Sequence, residues 1–434
     1  MDPVQSTLIV FAVLLLCLAS GLWVFLALIL TSGLSLFLVM DFDPARIGSI
    51  ANLIIVRSAT SWELAAVPMF IWMGEIMFRT DISDRLFRGL APIVQRLPGG
   101  LLHVNVIGSA LFAAVTGSST ATTATVGKVT LTELARRKYS DRLAIGSLTG
   151  SGSLGLLIPP SIALIIYGVL AEVSIAKLFI AGIVPGVLIA FAYSAYIAGR
   201  CLITPALAPQ EAEEADESSL GAIVKNVSPV FGLIFVVLGS IYTGWATPSE
   251  AAAIGVFVAM VFAVTTRQMT FEIFRQTIIN ALKTSCMVCA ILMSAAFLST
   301  AIGYMHVPRN IALFIESLEL SPYVLIIALS LFYILLGLFL DGISIIVMSL
   351  PITLPIVLQA GFDPIWYGIF LIIMIELGLM TPPVGLNLFV MQSISRKPIY
   401  RVAAYAAPFF LLMCLVVVLI TVWPELVLWL TRIL

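Results

Sequence analysis

Two short stretches of this 434-residue chain place polar atoms inside otherwise apolar sequence. The first, Gly117-Ser118-Ser119-Thr120-Ala121-Thr122-Thr123-Ala124-Thr125, has six hydroxyls in nine residues and no charge. The second, Asp341-Gly342-Ile343-Ser344, adds one carboxylate. Each is followed along the chain by a proline pair, Pro159-Pro160 and Pro382-Pro383. Consecutive prolines within a helix remove two N–H donors and clash with the preceding turn, so carbonyls near Ile158 and Thr381 lose their helical partners. Gly155, Gly378 and Gly385 next to these breaks permit backbone conformations closed to other residues. Neutral hydroxyl and carbonyl oxygens that converge in a dry environment suit a hard monovalent cation such as Na⁺. Asn387, four residues after Pro383, adds an amide to the second region. An acid inside a membrane is a functional candidate by default, which singles out Asp341. The hydroxyl-rich stretch also reads as a plain loop between two full spans, a proline pair as a kink, and Asp341 as a boundary residue.

The elements that position these groups follow from composition. Hydrophobic residues make up 61% and charged residues 10%, with a mean hydropathy of +1.13. Soluble domains carry roughly 25% charge, so the apolar excess must face lipid. A net charge of −1 and a pI near 6.2 supply no basic field for a nucleic-acid partner. Two histidines, His103 and His306, lie outside any metal-ligand pattern. Gly127-Lys128 resembles the end of a phosphate loop, but Thr122 and Val129 stand where a glycine and a hydroxyl residue are needed. The five cysteines are scattered, which argues against a disulfide framework.

Crossing roughly 30 Å of hydrocarbon needs about 20 apolar residues. Such runs are read at 3–19, 21–40, 62–78, 99–135, 142–171, 174–199, 228–242, 249–266, 284–305, 322–359, 364–394 and 402–430. The runs 99–135 and 322–359 are double-length with polar middles. With the N- and C-termini outside, 16 of the 22 basic residues fall in cytoplasmic loops, as the positive-inside rule requires. An acidic stretch, 205–227, with Glu211, Glu213, Glu214, Asp216 and Glu217, divides the chain and falls on the cytoplasmic side.

The two halves repeat. Asp141, Gly146, Gly155-Leu156 and Pro159-Pro160 recur as Asp363, Gly368, Gly378-Leu379 and Pro382-Pro383 at an offset of about 222. The first repeat covers 1–204, with arm helices at 1–98, a re-entrant hairpin at 99–138, a broken helix at 142–171 and a helix at 174–199. The second covers 228–434, with arms at 228–305, a hairpin at 322–359, a broken helix at 364–394 and a helix at 402–430. The arms 41–61 and 267–283 fall on opposite sides, so the repeats are inverted. The expected fold is an all-α polytopic membrane protein of two inverted repeats, each with a re-entrant hairpin and a Pro-Pro-broken helix. Secondary transporters are built this way. Channels can share the symmetry, which alone does not choose between them.

Four motifs in order, Gly117-Ser118-Ser119-Thr120-Ala121-Thr122, Leu154-Gly155-Leu156-Leu157-Ile158-Pro159-Pro160-Ser161-Ile162, Ala181-Gly182-Ile183-Val184-Pro185-Gly186 and Thr381-Pro382-Pro383-Val384-Gly385-Leu386-Asn387-Leu388-Phe389, resemble the large membrane subunit of tripartite ATP-independent periplasmic (TRAP) transporters. The resemblance implies a Na⁺-driven, elevator-type importer of an organic acid in the bacterial inner membrane. Its partners would be a periplasmic substrate-binding protein and a separate small membrane subunit. Carried onto this chain, one Na⁺ site would comprise Gly117, Ser118, Ser119 and Thr120 with Gly155, Ile158 and Pro159. The other would comprise Asp341, Gly342 and Ser344 with Gly378, Thr381, Pro382 and Gly385. Substrate would lie between the tips, against Ser119, Thr120, Asp341 and Asn387. The rival readings are an ion-coupled carboxylate symporter that needs no binding protein, and a passive channel. No nucleophile-base pair points to an enzyme.

Overall fold

The computed structural model describes residues 3–209, 220–307, 309–310 and 321–433. Glu211, Glu213, Glu214, Asp216 and Glu217 of the acidic stretch lie outside the described residues. Regular structure among the described residues is helical throughout. The first half contains α1 (Pro3–Ala19), α2 (Val24–Met40), α3 (Pro44–Ala59), α4 (Ala66–Phe78), α5 (Ile82–Val94), α6 (Leu102–Thr116), α7 (Ser119–Arg136), α8 (Asp141–Gly152), α9 (Ile162–Leu170) and α10 (Ile175–Ile203). The second contains α11 (Leu220–Tyr242), α12 (Pro248–Thr265), α13 (Phe271–Tyr304), α14 (Pro322–Gly337), α15 (Gly342–Gln359), α16 (Pro364–Leu379), α17 (Leu386–Ser395), α18 (Ile399–Val422) and α19 (Glu425–Ile433). Six helices among the described residues are long and apolar enough to cross a membrane; α3 and α4, bent by 55° at their junction, form a possible seventh span.

Both double-length runs resolve into helix pairs. The chain turns between α6 and α7 at Gly117, whose φ of +60° is readily open only to glycine. Ser118 then caps α7 by accepting a hydrogen bond from the Ala121 N–H. Between α14 and α15, Asp341 caps α15 by accepting from the N–H groups of Ile343 and Ser344 at 3.1 and 3.2 Å. With 15 residues, α6 spans about 22 Å, short of the roughly 30 Å of a hydrocarbon core.

Both proline pairs interrupt helices: α8 gives way to α9, and α16 to α17. Each pair contains a cis peptide bond. The helix expected at 402–430 is interrupted at Pro424 into α18 and α19, and two further expected boundaries are corrected. The 284–305 span and the 267–283 arm form one continuous helix, α13, of 34 residues. Thr270 caps its start, and neither glycine nor proline interrupts it before Gly303. At about 51 Å it outruns a bilayer core, so its first turns form the arm. The other boundary is α11, which begins at Leu220, so the linker does not extend to 227.

Packing places most helix pairs in one of two groups, which are joined where α13 packs on α15. In the outer one, α2 packs on α13, α4 on α12 and α13, and α5 on α11. In the inner one, α8 packs on α18, α7 on α17, α14 on α16, and α15 on both α9 and α16. Helix α16 is the most enclosed; every residue from Trp366 to Leu379 is buried. A helix apolar on all sides belongs in such a position.

Candidate functional site

The hydroxyl-rich tip and the first proline break meet directly. A Cβ added to Gly155 would lie 2.5 Å from both N and Cα of Ser119, so only glycine lets the tip seat on the break. A Cβ on Gly117 would approach Ile162 N to 3.0 Å and the Pro160 carbonyl to 3.2 Å. Ser119, Pro159 and Pro160 are buried, whereas Ser118, Thr120 and Ile158 are half-buried. The hydroxyls of Ser118 and Thr120 are 3.3 Å apart. No hydrogen bond reaches the Ile158 or Pro159 carbonyl from the described residues; the N–H groups that Pro159 and Pro160 lack would have served the carbonyls of Gly155 and Leu156, and the Leu156 carbonyl accepts from the Ser161 hydroxyl instead. The Thr123 and Thr125 hydroxyls are buried without partners. Tip and break therefore bring together neutral oxygens that lack full hydrogen-bond complements.

The second region is more open. Asp341 is exposed, and besides capping α15 it accepts from the Ser344 hydroxyl. Gly342 and Ser344 are buried. A Cβ on Gly342 would meet Leu156 at 2.9 Å and Ile375 at 3.0 Å, so this tip lies against the first break as well as against α16. Gly378 backs onto Gly337, one turn before the tip; a Cβ on Gly378 would lie 2.7 Å from the Gly337 Cα. Thr381 is half-buried and its hydroxyl donates to the Leu377 carbonyl at 2.7 Å. Pro382 and Pro383 are exposed. Gly385, with φ of +45°, folds the chain back so that a Cβ would sit 2.8 Å from the Thr381 carbonyl and 2.9 Å from that of Leu379. These two oxygens converge. Asn387 is fully buried, and neither atom of its side-chain amide has a partner. Among the described residues Asp341 makes no hydrogen bond to the Thr381–Asn387 segment.

One residue of the site escaped the sequence reading. Glu376, on α16, is only 1% exposed and accepts hydrogen bonds at Oε1 from the Ser119 hydroxyl and, at 3.0 Å, from the Leu156 N–H. A carboxylate of the second half thus holds both the tip and the break of the first. Its Oε2 has no partner. The signal was available, since Glu376 is the lone acid in the apolar run 364–379 and an acid inside a span marks a functional position.

Buried polar pairs extend from this centre along the first hairpin: the hydroxyls of Thr116 and Thr122 at 3.1 Å, those of Ser151 and Ser109 at 3.2 Å, and the Asn105 amide donating to the Ser147 hydroxyl at 2.8 Å. They fix α6 to α7 and α8 through polar contacts that the bilayer's lack of water favours. A cavity of about 720 Å³, between α3, the α9–α10 turn, α12 and α13, is lined by Arg57, Glu63 and Glu172 and shares no residue with this centre.

Helix pairs and broken helices meet at a polar core within a multi-span apolar protein. A solved structure of the YdaH transporter of Alcanivorax borkumensis shares the fold, with a TM-score of 0.64 at 15% identity over 86% of this chain and 87% of that one. The chain belongs to the family described as "Tripartite ATP-independent periplasmic transporter, DctM component", whose pattern matches residues 11–426. It is 32% identical to the C4-dicarboxylate TRAP transporter large permease protein DctM of Pseudomonas aeruginosa, over 89% of this chain and 90% of that protein. It is 31% identical to the isethionate TRAP transporter permease protein DctMQ of Oleidesulfovibrio alaskensis, over 85% of this chain and 58% of that longer one. With the sialic acid TRAP transporter large permease protein SiaM of Vibrio cholerae it shares 28% identity, over 84% and 85%.

Proposed function

We propose that this chain is the large membrane subunit of a Na⁺-coupled importer for a small organic anion, working by an elevator movement in the bacterial inner membrane. The carrying observation is the seating of the Ser118-Ser119 tip on the Gly155–Pro160 break, which leaves unpaired oxygens in the protein interior. Lipid cannot satisfy such atoms; an ion can. The first Na⁺ would be held by the 117–120 tip with Gly155, Ile158 and Pro159. The second would be held by Asp341, Gly342 and Ser344 with Gly378, Thr381, Pro382 and Gly385, where the Thr381 and Leu379 carbonyls already converge. Substrate would lie between the tips, bounded by Ser119, Thr120, Asp341 and Asn387.

The relatives named for C4-dicarboxylates, sialic acid and isethionate support an anionic substrate. Membership of a tripartite family supports two partners, a periplasmic binding protein that delivers the anion and a small membrane subunit. The distribution of basic residues supports periplasmic termini. The recurring plan of helix pair, broken helix and long helix supports inverted repeats that move about a central site. Coupling requires Na⁺ to favour the substrate-competent state by about 1–3 kcal/mol.

The test is reconstitution in proteoliposomes with the binding protein and small subunit, scoring uptake of labelled dicarboxylates, sialic acid and sulfonates. Uptake driven by an inward Na⁺ gradient and lost when K⁺ replaces Na⁺ is the expected result. Uptake unchanged by that replacement would refute Na⁺ coupling, and uptake without the binding protein would favour a self-sufficient symporter.

A further inference from the structure

Glu376 is a buried acid whose two oxygens differ. Oε1 is satisfied by the Ser119 hydroxyl and the Leu156 N–H, while Oε2 has no partner. Asn387, in the first turn of α17 just past the second break, is fully buried with its amide oxygen and nitrogen both unpartnered. No basic side chain forms an ion pair with Glu376 among the described residues. A carboxylate in a dry interior with half its acceptor capacity unused stays ionised only at high cost; it is relieved by a bound cation or by taking up a proton, and Oε2 is the atom open to either.

We propose that Glu376 supplies the fixed negative charge of the first cation site, with its Oε2 and the Asn387 Oδ1 acting as ligands from the second half to an ion otherwise held by the first. The inference rests on the Na⁺-coupled reading above and deepens it. An ion bound there bridges the repeats, so its arrival ties α16 and α17 to the α6–α7 tip. It also offsets the charge of the buried acid at the centre, so an anionic substrate meets less repulsion once the ion is in place. The Asn387 amide has the groups for both, an oxygen that can accept the cation and an NH₂ that can donate to the anion.

The experiment uses the purified full chain. Thermal stability is followed against NaCl, with choline chloride holding ionic strength constant, and ²²Na⁺ binding is measured in parallel. Wild type is expected to respond to Na⁺. Glu376→Gln should need about 10- to 100-fold more Na⁺, the range seen when groups supporting a metal site are removed. Glu376→Asp should fall between. Asn387→Ala, which leaves the Ser119 and Leu156 contacts intact, should weaken Na⁺ binding about tenfold and decides the matter if Glu376→Gln does not fold. Glu425→Gln, which removes an acid from an exposed pair with Arg432, should respond as wild type. Na⁺ affinity within about twofold of wild type in either Glu376→Gln or Asn387→Ala would overturn the proposal while leaving Na⁺ coupling intact. Wild type that binds no alkali cation would overturn both.

Discussion

The two proline breaks are alike in sequence and opposite in surroundings. At the first, Pro159, Pro160 and Ser161 are buried and the tip rests on Gly155; at the second, Pro382 and Pro383 are exposed, as is the Asp341 of the nearby tip. Gly155 and Gly378 stand 223 positions apart, as do Ser118 and Asp341. At that spacing the counterpart of Glu376 is Ser153, and the counterpart of Ser119 is Gly342. The clasp between Ser119 and Glu376 therefore has no reciprocal, because Ser153 and Gly342 cannot pair a carboxylate with a hydroxyl. Ser153 instead turns its hydroxyl to the carbonyl of Gly150. Duplicated backbones can thus carry unequal chemistry, with one end of the site buried and the other exposed.

The strongest way to challenge that comparison is steric. Gly155→Ala would force a Cβ onto the backbone of the tip, which cannot give way as a side chain can, and is expected to cost about 3 kcal/mol, the upper range for overpacking. Gly378→Ala, pressed against the Gly337 backbone, should cost a similar amount without touching the first tip. Thermal melts should find the two equally destabilised, and only Gly155→Ala should also blunt the Na⁺ response at the first site. A Gly155→Ala protein as stable as wild type would contradict the seal. Next in size, Ser119→Ala removes one of two donors to a buried carboxylate, at about 1–3 kcal/mol, and should raise the Na⁺ needed for half-maximal uptake. Thr381→Ala gives up a hydroxyl bonded only to its own helix, so stability should change by less than about 1 kcal/mol. Its expected effect is on Na⁺ dependence, and unchanged dependence would remove Thr381 from the second site. Asp341→Asn should be smaller still in a melt, since asparagine caps a helix as well as aspartate. Uptake should nonetheless drop, and full uptake would make Asp341 a cap and nothing more. Last, Lys397→Gln breaks a 2.7 Å ion pair with Asp141 that joins the halves at an exposed edge, and the melting temperature should scarcely move.

Local rules made much of this architecture readable from residues alone. Gly117 with Ser118, Asp341 with its following glycine, and the two proline pairs each announce a turn, a cap or a break through their own covalent chemistry, and each stands where expected. The α13 boundary was lost because a polar face followed by an apolar one reads as two elements when nothing but continuity of good helix formers says otherwise. Glu376 was passed over because attention to hydroxyls and prolines picks out clusters, whereas its importance lies in a contact 257 positions away with Ser119. The exposure of Asp341 depends on how two hairpins are placed relative to one another, a property that no single segment encodes.

Gly146 and Gly150 on α8 press against the Tyr405 carbonyl and the Phe409 side chain of α18. Without side chains at those two points, α18 of the second half packs closely on α8 of the first and cannot glide along it without unpacking. Any displacement of the first broken helix must carry α18 as cargo. Two hydrogen atoms in place of methyl groups thereby hold helices from the two halves together as one packed unit.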